Sequence, residues 1–238
     1  MDLNWIIYPF LFTSLYFEVL VLLTFLSKPA RDRRERPVSS RTPHVAMIVP
    51  CWNEEATIKQ NVESLLELEY PADKLTIVVV NDGSSDRSGE ILDAAFTDHP
   101  RVKVIHQENG GKHAALNTGI EHATEAELVG CLDADSFVER NALREIISSF
   151  DDPNVAAATV AMSVYKPQNI IEAMQNAEYI LGIALRHVLS AVNGIYVTPG
   201  PFSLYRRDVV LKLGGFHFGH QTEDMEMALR LQREGYWI

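Results

Sequence analysis

Apolar and polar residues fall in blocks along this chain, and the period changes from block to block. Trp5 to Leu26 is apolar for 22 residues, broken by one charge, Glu18, and one proline, Pro9. As a helix it is roughly 33 Å long, enough for a ~30 Å hydrocarbon core. A polar, proline-containing stretch follows to Pro43. His44–Pro50 then reads as a buried strand stopped by Pro50. Asn53-Glu54-Glu55 opens a helix whose apolar residues Ile58, Val62, Leu65, Leu66 and Leu68 recur at helical spacing, and Pro71 ends it. Leu75–Val80 is a second strand, Ser88–Phe96 a helix, Val102–Ile105 a third strand and His113–His122 a helix. A fourth apolar run, from Leu128, ends abruptly in Asp133-Ala134-Asp135.

Alternation of strand and helix every 25–30 residues or so predicts βαβ units and a mainly parallel α/β sheet flanked by helices. In such a sheet the loops that leave the strands share one edge, where open α/β folds bind ligands. Trp52, Asp82, Lys112 and Asp135 are therefore expected to converge. Farther on, the pattern predicts a helix over Asn141–Phe150, a strand over Val155–Val164 and a long helix over Ile170–Val192. The apolar face of that helix has two possible destinations, the core or a membrane surface. Core packing is favoured, because the segment carries few basic residues for a lipid-surface helix. A turn at Thr198–Arg207 feeds a short strand, Met225–Glu234 is an amphipathic helix, and Tyr236–Ile238 begins a further strand.

Composition sharpens this picture. The 238 residues carry 21 basic and 32 acidic side chains, a net charge of −11, with no long basic stripe, which argues against a nucleic-acid partner. Cys51 and Cys131 both end apolar runs and read as buried free thiols in a reducing compartment. The N-terminal run lacks the basic start and small-residue cleavage site of a signal peptide. Aromatic residues crowd its first half, as they do at membrane interfaces. Lys28, Arg31, Arg33, Arg34, Arg36 and Arg41 follow it, which predicts a membrane protein whose larger part faces the cytoplasm. Glu18 is costly in lipid and is expected at a helix contact or the interface. The rival reading is a buried helix of the globular core. The expected division is a transmembrane helix at 1–27, a basic cytoplasmic linker at 28–43 and an α/β domain at 44–238.

Two carboxylates at the mouth of a buried strand repel one another unless a cation or a donor lies between them. Mg²⁺ takes carboxylate and phosphate oxygens together, so Asp133 and Asp135 fit a metal-diphosphate site. The alternative for any Asp-x-Asp is an ordinary turn that caps the next helix. A calcium loop does not fit, since Phe137 and Val138 stand where a ligand and a glycine are needed.

Five segments together resemble a known family: Pro50-Cys51-Trp52-Asn53-Glu54, Val80-Asn81-Asp82-Gly83-Ser84-Ser85-Asp86, Gly110-Gly111-Lys112, Asp133-Ala134-Asp135 and Thr222-Glu223-Asp224. In this order and spacing they are similar to the family-2 inverting glycosyltransferases of the GT-A fold. Gly200-Pro201-Phe202-Ser203-Leu204-Tyr205-Arg206 narrows the likeness to membrane polysaccharide synthases of the hyaluronan, chitin and poly-N-acetylglucosamine type. The resemblance implies a UDP-sugar donor, a glycan acceptor, a membrane lipid environment and Mg²⁺ or Mn²⁺. It also implies roles. Trp52, where relatives carry Tyr, would stack on uracil beside Pro50, and Asp82 would accept a hydrogen bond from the base. Glu54 would sit near the nucleoside and Lys112 at the diphosphate. Asp133 would reach the ribose and the metal, and Asp135 would hold the metal. Gly200, Pro201 and Glu223 would meet the acceptor, and Asp224 would be the general base. Each has a plainer alternative: a tight turn for Asp82-Gly83, a helix N-terminus for Glu54 and for Glu223-Asp224, and a solvated side chain for Lys112. His217 and His220, three apart, read as loop residues rather than a metal pair.

The chain departs from the pattern in two ways. Processive synthases carry a Gln-x-x-Arg-Trp motif and more membrane helices after the Thr-Glu-Asp segment, and Ile238 precedes both. A cysteine that several relatives carry after Gly-Pro is also missing. The expectation is a C-terminally truncated chain, with a catalytically incomplete UDP-sugar binder as the alternative to an active transferase. A sugar-phosphate nucleotidyltransferase is disfavoured, because the loop after the first strand is acidic and has no glycine.

Overall fold

The computed structural model describes residues 4–27, 39–199, 201–218 and 222–238. The basic residues between 28 and 38, the acceptor candidate Gly200 and His220 lie outside these. The chain divides into two compact units, the described residues of Met1–Pro37 with Met162–Gly194, and Val38–Ala161 with Ile195–Ile238.

The larger unit is built on six strands: β1 (Val45–Cys51), β2 (Leu75–Asp82), β3 (Val102–Gln107), β4 (Leu128–Cys131), β5 (Ala157–Thr159) and β6 (Ser203–Arg206). Their order is β3-β2-β1-β4-β6-β5. The first four run parallel, and β6 pairs antiparallel with both β4 and β5. Helices α2 (Ile58–Leu66), α3 (Ser88–Phe96), α4 (Lys112–His122) and α5 (Ala142–Ile147) connect them, with α7 (Arg207–Lys212) and α8 (Glu223–Arg233) after β6. Alternate residues of β1 serve opposite faces, as a pleated strand requires. Met47 and Val49 pack with Ile58, Leu65 and Leu92 of α2 and α3. Ala46 and Ile48 pack with Leu116 and Ile120 of α4 and with Met227 and Leu231 of α8. The central strands are thus buried on both sides, which is why they read as continuous apolar runs.

Pro50 does not end β1, which runs on to Cys51. The carbonyl of Ile48 accepts Leu132 N–H from the β4 side at 3.1 Å, so by alternation the nitrogen of Pro50 faces that side too. β4 ends opposite Ile48, so proline forfeits no ladder bond there. The strand expected over Val155–Val164 is reduced to Ala157–Thr159 at the sheet edge, and the long apolar run continues as irregular chain. The expected final strand is a single bridge between Trp237 and Val155.

The smaller unit contains α1 (Asn4–Ser27) and α6 (Ile170–Ser190), which pack against one another. Residues Trp5–Thr24 of α1 are long and apolar enough to cross a membrane, with a mean hydropathy of 2.0. The core destination favoured for α6 is not what the structure holds. Among its described side chains only Val188 is buried, while Ile170, Met174 and Leu181 are about 70% exposed or more.

Candidate active site

The loops leaving the parallel strands are stitched together in series. Asn53, just after β1, sits in left-handed backbone (φ 56°), a conformation Asn tolerates. Its Oδ1 accepts the amide N–H of Ser85 at 2.8 Å, and its own N–H donates to Ser84 Oγ at 3.0 Å. Glu54 N–H donates to Ser88 Oγ at 2.8 Å, and its carboxylate accepts from Thr57 Oγ1 at 3.0 Å. The first two loops are therefore one bracket. Trp52 belongs to it and is 58% exposed.

Asp82, the last residue of β2, is 3% exposed. Its Oδ1 accepts from Gln107 Nε2 at 2.6 Å and from Gly110 N–H at 2.9 Å, and its Oδ2 accepts Gly111 N–H at 2.8 Å. Its carbonyl accepts from Asn109 Nδ2 at 2.9 Å. The carboxylate thus holds the whole loop that delivers Lys112. Two glycines permit this: Gly111 has φ 85°, and Gly83 has φ 68° with Asn109 N 2.7 Å from where a β-carbon would stand.

Lys112 begins α4 and joins the two acidic motifs. Its Nζ lies 2.6 Å from Asp133 Oδ1 and 3.2 Å from Glu223 Oε1. Burial alone would lower its pKa, but its acidic neighbours Cys131, Asp133 and Glu223 outweigh that and hold the ammonium above its usual range. Asp224 follows Glu223 in the first turn of α8, and its Oδ1 accepts Met225 N–H at 2.7 Å. Burial raises the Asp224 carboxyl, and the Glu223 charge beside it adds to the rise. Its carbonyl accepts from Thr198 Oγ1 at 3.1 Å, which in turn accepts from the buried Tyr205 hydroxyl at 2.8 Å. Ser203 Oγ donates to Pro199 O at 2.5 Å, and Phe202 beside Pro201 holds φ 56°, so the turn before β6 is tightly constrained.

The Asp-x-Asp loop has its own clamp. Asn61 of α2 is fully buried and donates through Nδ2 to the carbonyls of Asp133 at 2.9 Å and Ser136 at 2.6 Å. Asp135 is exposed and accepts from Ser136 Oγ at 3.2 Å. Among the described residues no three His, Cys, Asp or Glu side chains form a metal cage. One exposed carboxylate beside another paired with lysine suits a divalent ion that keeps its waters and takes phosphate oxygens as further ligands. His217 Nδ1 lies 3.5 Å from Glu226 Oε1, a surface pairing of the loop before α8 with the first turn of that helix.

The sites expected from sequence therefore join at Asp82, Lys112, Asp133, Glu223 and Asp224, with Glu54 bound into the first bracket. Pro50 lies in β1 opposite Val80, and Pro201 precedes the constrained turn. Sequence reading gave no site role to Asn53, Asn61 or Thr198. Asn61 left one trace, a polar residue in the apolar stripe Ile58, Val62, Leu65.

A mainly parallel sheet with acidic side chains gathered at its carboxyl edge fits the GT-A fold of glycosyltransferases, and comparison with known proteins agrees. The chain belongs to glycosyl transferase family 2, whose family profile matches residues 46–214. Poly-beta-1,6-N-acetyl-D-glucosamine synthase of Staphylococcus aureus (strain COL) is 29% identical over 243 positions, covering 99% of this chain and 58% of that protein. The Staphylococcus epidermidis synthase is 30% identical over 241 positions, with the same shares. The chain thus spans a little over half the length of these relatives. Among solved structures, mannosyltransferase PcManGT from Pyrobaculum calidifontis, in complex with GDP-Man and Mn²⁺, superposes with a TM-score of 0.72 at 26% identity, covering 94% of this chain and 63% of that one. Residues 1–349 of S. aureus TarS with UDP-GlcNAc share the fold, with a TM-score of 0.57 at 18% identity over 77% of this chain and 52% of that one.

Proposed function

We propose that this family-2 glycosyltransferase is membrane-anchored and metal-dependent, and moves a sugar from a UDP-sugar to a growing polysaccharide or other glycan with inversion at the anomeric carbon. The observation that carries the reading is the Lys112 ammonium held between Asp133 on the donor side and Glu223, neighbour of Asp224, on the acceptor side. Trp52 and Pro50 border the uracil site. Asp82 fixes the loop that aims Lys112 at the diphosphate, and Glu54 stands by the nucleoside. Asp135, with Asp133, would hold Mg²⁺ or Mn²⁺, which when bound neutralises charge on the departing diphosphate.

Asp224 takes the acceptor hydroxyl proton as that oxygen attacks from the face opposite the leaving group. One of its oxygens is occupied by Met225 N–H, which leaves the other for the acceptor hydroxyl. A carboxyl raised by burial is a stronger base than an exposed one, closer to the pKa that proton abstraction at neutral pH favours. Glu223, Gly200 and Pro201 form the acceptor side. Helix α1 is the anchor, and the basic run after it puts the catalytic unit on the cytoplasmic side.

The test uses the chain reconstituted in lipid nanodiscs with UDP-N-acetylglucosamine, UDP-glucose and UDP-glucuronate. Transfer is expected from one donor, with a β-linked product, lost with EDTA and restored by Mg²⁺ or Mn²⁺. Asp224→Asn is expected to bind donor and not turn over. Equal turnover in that variant removes Asp224 from the base role. Metal-dependent UDP binding with no transfer from any donor replaces this reading with that of a donor-binding chain.

A further inference from the structure

Asn81, the residue before Asp82 on β2, is nearly buried and belongs to a relay of hydrogen bonds that starts at the surface. β3 runs beside β2 with His106 paired to Asn81, so the two side chains share a face. Asn81 Oδ1 accepts Ser84 N–H at 3.2 Å. Only the oxygen of the amide can meet that N–H, so its nitrogen is what lies 3.0 Å from His106 Nδ1. Nδ1 is therefore the bare nitrogen of the ring, and Nε2 carries the proton that Asp93 Oδ1 accepts at 2.9 Å. Helix α3 lies over the pair at Gly89, where a β-carbon would stand 2.9 Å from Asn81 Nδ2 and 3.6 Å from His106 Cε1. The relay thus runs from Asp93 through His106 and Asn81 to Ser84. It leads to the bracket of the first two loops, because Ser84 Oγ accepts Asn53 N–H at 3.0 Å, next to Trp52.

The imidazole is the member of this relay that can change its role. The His106 side chain is 46% exposed, so protons reach it, and imidazole takes up a proton in mildly acidic water. A proton on Nδ1 turns an acceptor into a donor and sets two N–H groups face to face. Hydrogen bonds from a charged donor are roughly twice as strong as neutral ones, so the imidazolium takes Asn81 Oδ1 by turning the amide over. Asn81 Nδ2 then faces Ser84 N–H, which is left without its acceptor. The charged groups around the ring do not replace what is lost. On α3, Asp93 accepts Nε2–H in either state of the ring, and Glu90 is paired with Arg87 at 3.7 Å. On β2, the carboxylate of Asp82 is taken by Gln107, Gly110 and Gly111. Along β3, Lys103 Nζ donates to the His122 carbonyl at 3.3 Å, and Glu108 lies past the end of the strand.

We propose that His106 is a positioning residue for the donor turn. As a neutral ring it holds the Asn81 amide so that Oδ1 keeps Ser84 N–H, and as an imidazolium it takes that oxygen and releases the turn, so donor affinity falls with acid. The proposal rests on the reading of Trp52 and the 81–85 turn as the nucleotide side of the site. His106 itself touches neither donor nor acceptor and acts through Asn81 alone.

The test compares the full chain in nanodiscs with two variants at pH 7.5 and pH 5.5. His106→Asn puts a carbonyl oxygen in place of Nδ1 and cannot titrate, and His106→Leu removes the acceptor at every pH. Binding of UDP with Mg²⁺ is read by calorimetry, and hydrogen exchange of residues 83–86, corrected for its intrinsic pH dependence, by mass spectrometry. On acidification the parent is expected to lose about fivefold more UDP affinity than His106→Asn, the factor that one neutral hydrogen bond carries. The phosphate of UDP titrates in the same range, and this comparison cancels it. Exchange at 83–86 should quicken with acid in the parent and not in His106→Asn, while His106→Leu should bind weakly and exchange fast at both pH values. An equal pH dependence in parent and His106→Asn overturns the role of His106 and leaves the donor site standing. His106→Leu binding as tightly as the parent at pH 7.5 also overturns it. Absence of UDP binding in all three proteins overturns the donor reading and the affinity claim with it.

Discussion

Replacing Asp82 by Asn removes one oxygen and one charge from the side chain that holds the 107–111 loop. In the native site Oδ1 accepts two donors and Oδ2 a third, at 2.6, 2.9 and 2.8 Å. Asparagine keeps one oxygen, so its amide group must turn an N–H toward a backbone N–H. If the oxygen stays with Gln107 and Gly110, the amide of Gly111 loses its acceptor in a buried site. A hydrogen bond to a charged group is worth about 1.5–3 kcal/mol, and the two surviving bonds weaken to neutral ones at about 1 kcal/mol each. Relief of a buried charge offsets part of this, which leaves a net loss of about 2–4 kcal/mol. At roughly 2–4 °C per kcal/mol for a chain of this size, the midpoint of thermal unfolding should fall by about 5–15 °C. Hydrogen exchange by NMR should show Gly110 and Gly111 exchanging at least tenfold faster, and UDP affinity should drop because Lys112 follows directly. A midpoint within 1 °C of the parent with unchanged exchange at Gly111 would refute the claim that Asp82 holds this loop.

Three further expectations concern the same edge of the sheet. Lys112→Met strips the cation from between Asp133 and Glu223, whose side chains are 27% and 11% exposed. The cost should lie between an exposed and a buried pair, about 1–3 kcal/mol in a urea titration, with UDP binding by calorimetry weakened at least tenfold. Asp224→Asn should raise stability at pH 7.5 while abolishing transfer. The fold lifts this carboxyl above its ordinary value of 3.8, so the charged form is the one that folding penalises. The penalty is absent below pH 3.8 and appears as pH rises through the raised value, so the difference in melting temperature should close on acidification. A variant less stable than the parent at pH 7.5 would contradict the raised value. Burial pushes the Cys51 and Cys131 thiols up to about 11 and about 12. Maleimide at pH 7.5 should therefore label neither in the native chain and both in urea, by mass spectrometry.

The amino-acid sequence by itself determined the elements and the chemistry on offer. Strands buried on both faces must be apolar throughout, and helices packed on a sheet must carry an apolar stripe. β1 to β4 and the helices between them were legible for that reason, as was a row of acidic and aromatic residues at the strand ends. The tertiary structure decided which of those residues meet. Lys112 bridges Asp133 and Glu223 because β4 and α8 bring their ends to the start of α4, and no local period encodes such a long-range encounter. Asp82 turned its carboxylate onto the glycine loop for the same reason, and Asn61 reached the Asp-x-Asp loop from α2. Hydropathy also has no direction. The stripe on α6 reads the same whether it packs into a core or faces outward, because burial in protein and burial in lipid exclude water equally, and only the coordinates show its residues left uncovered.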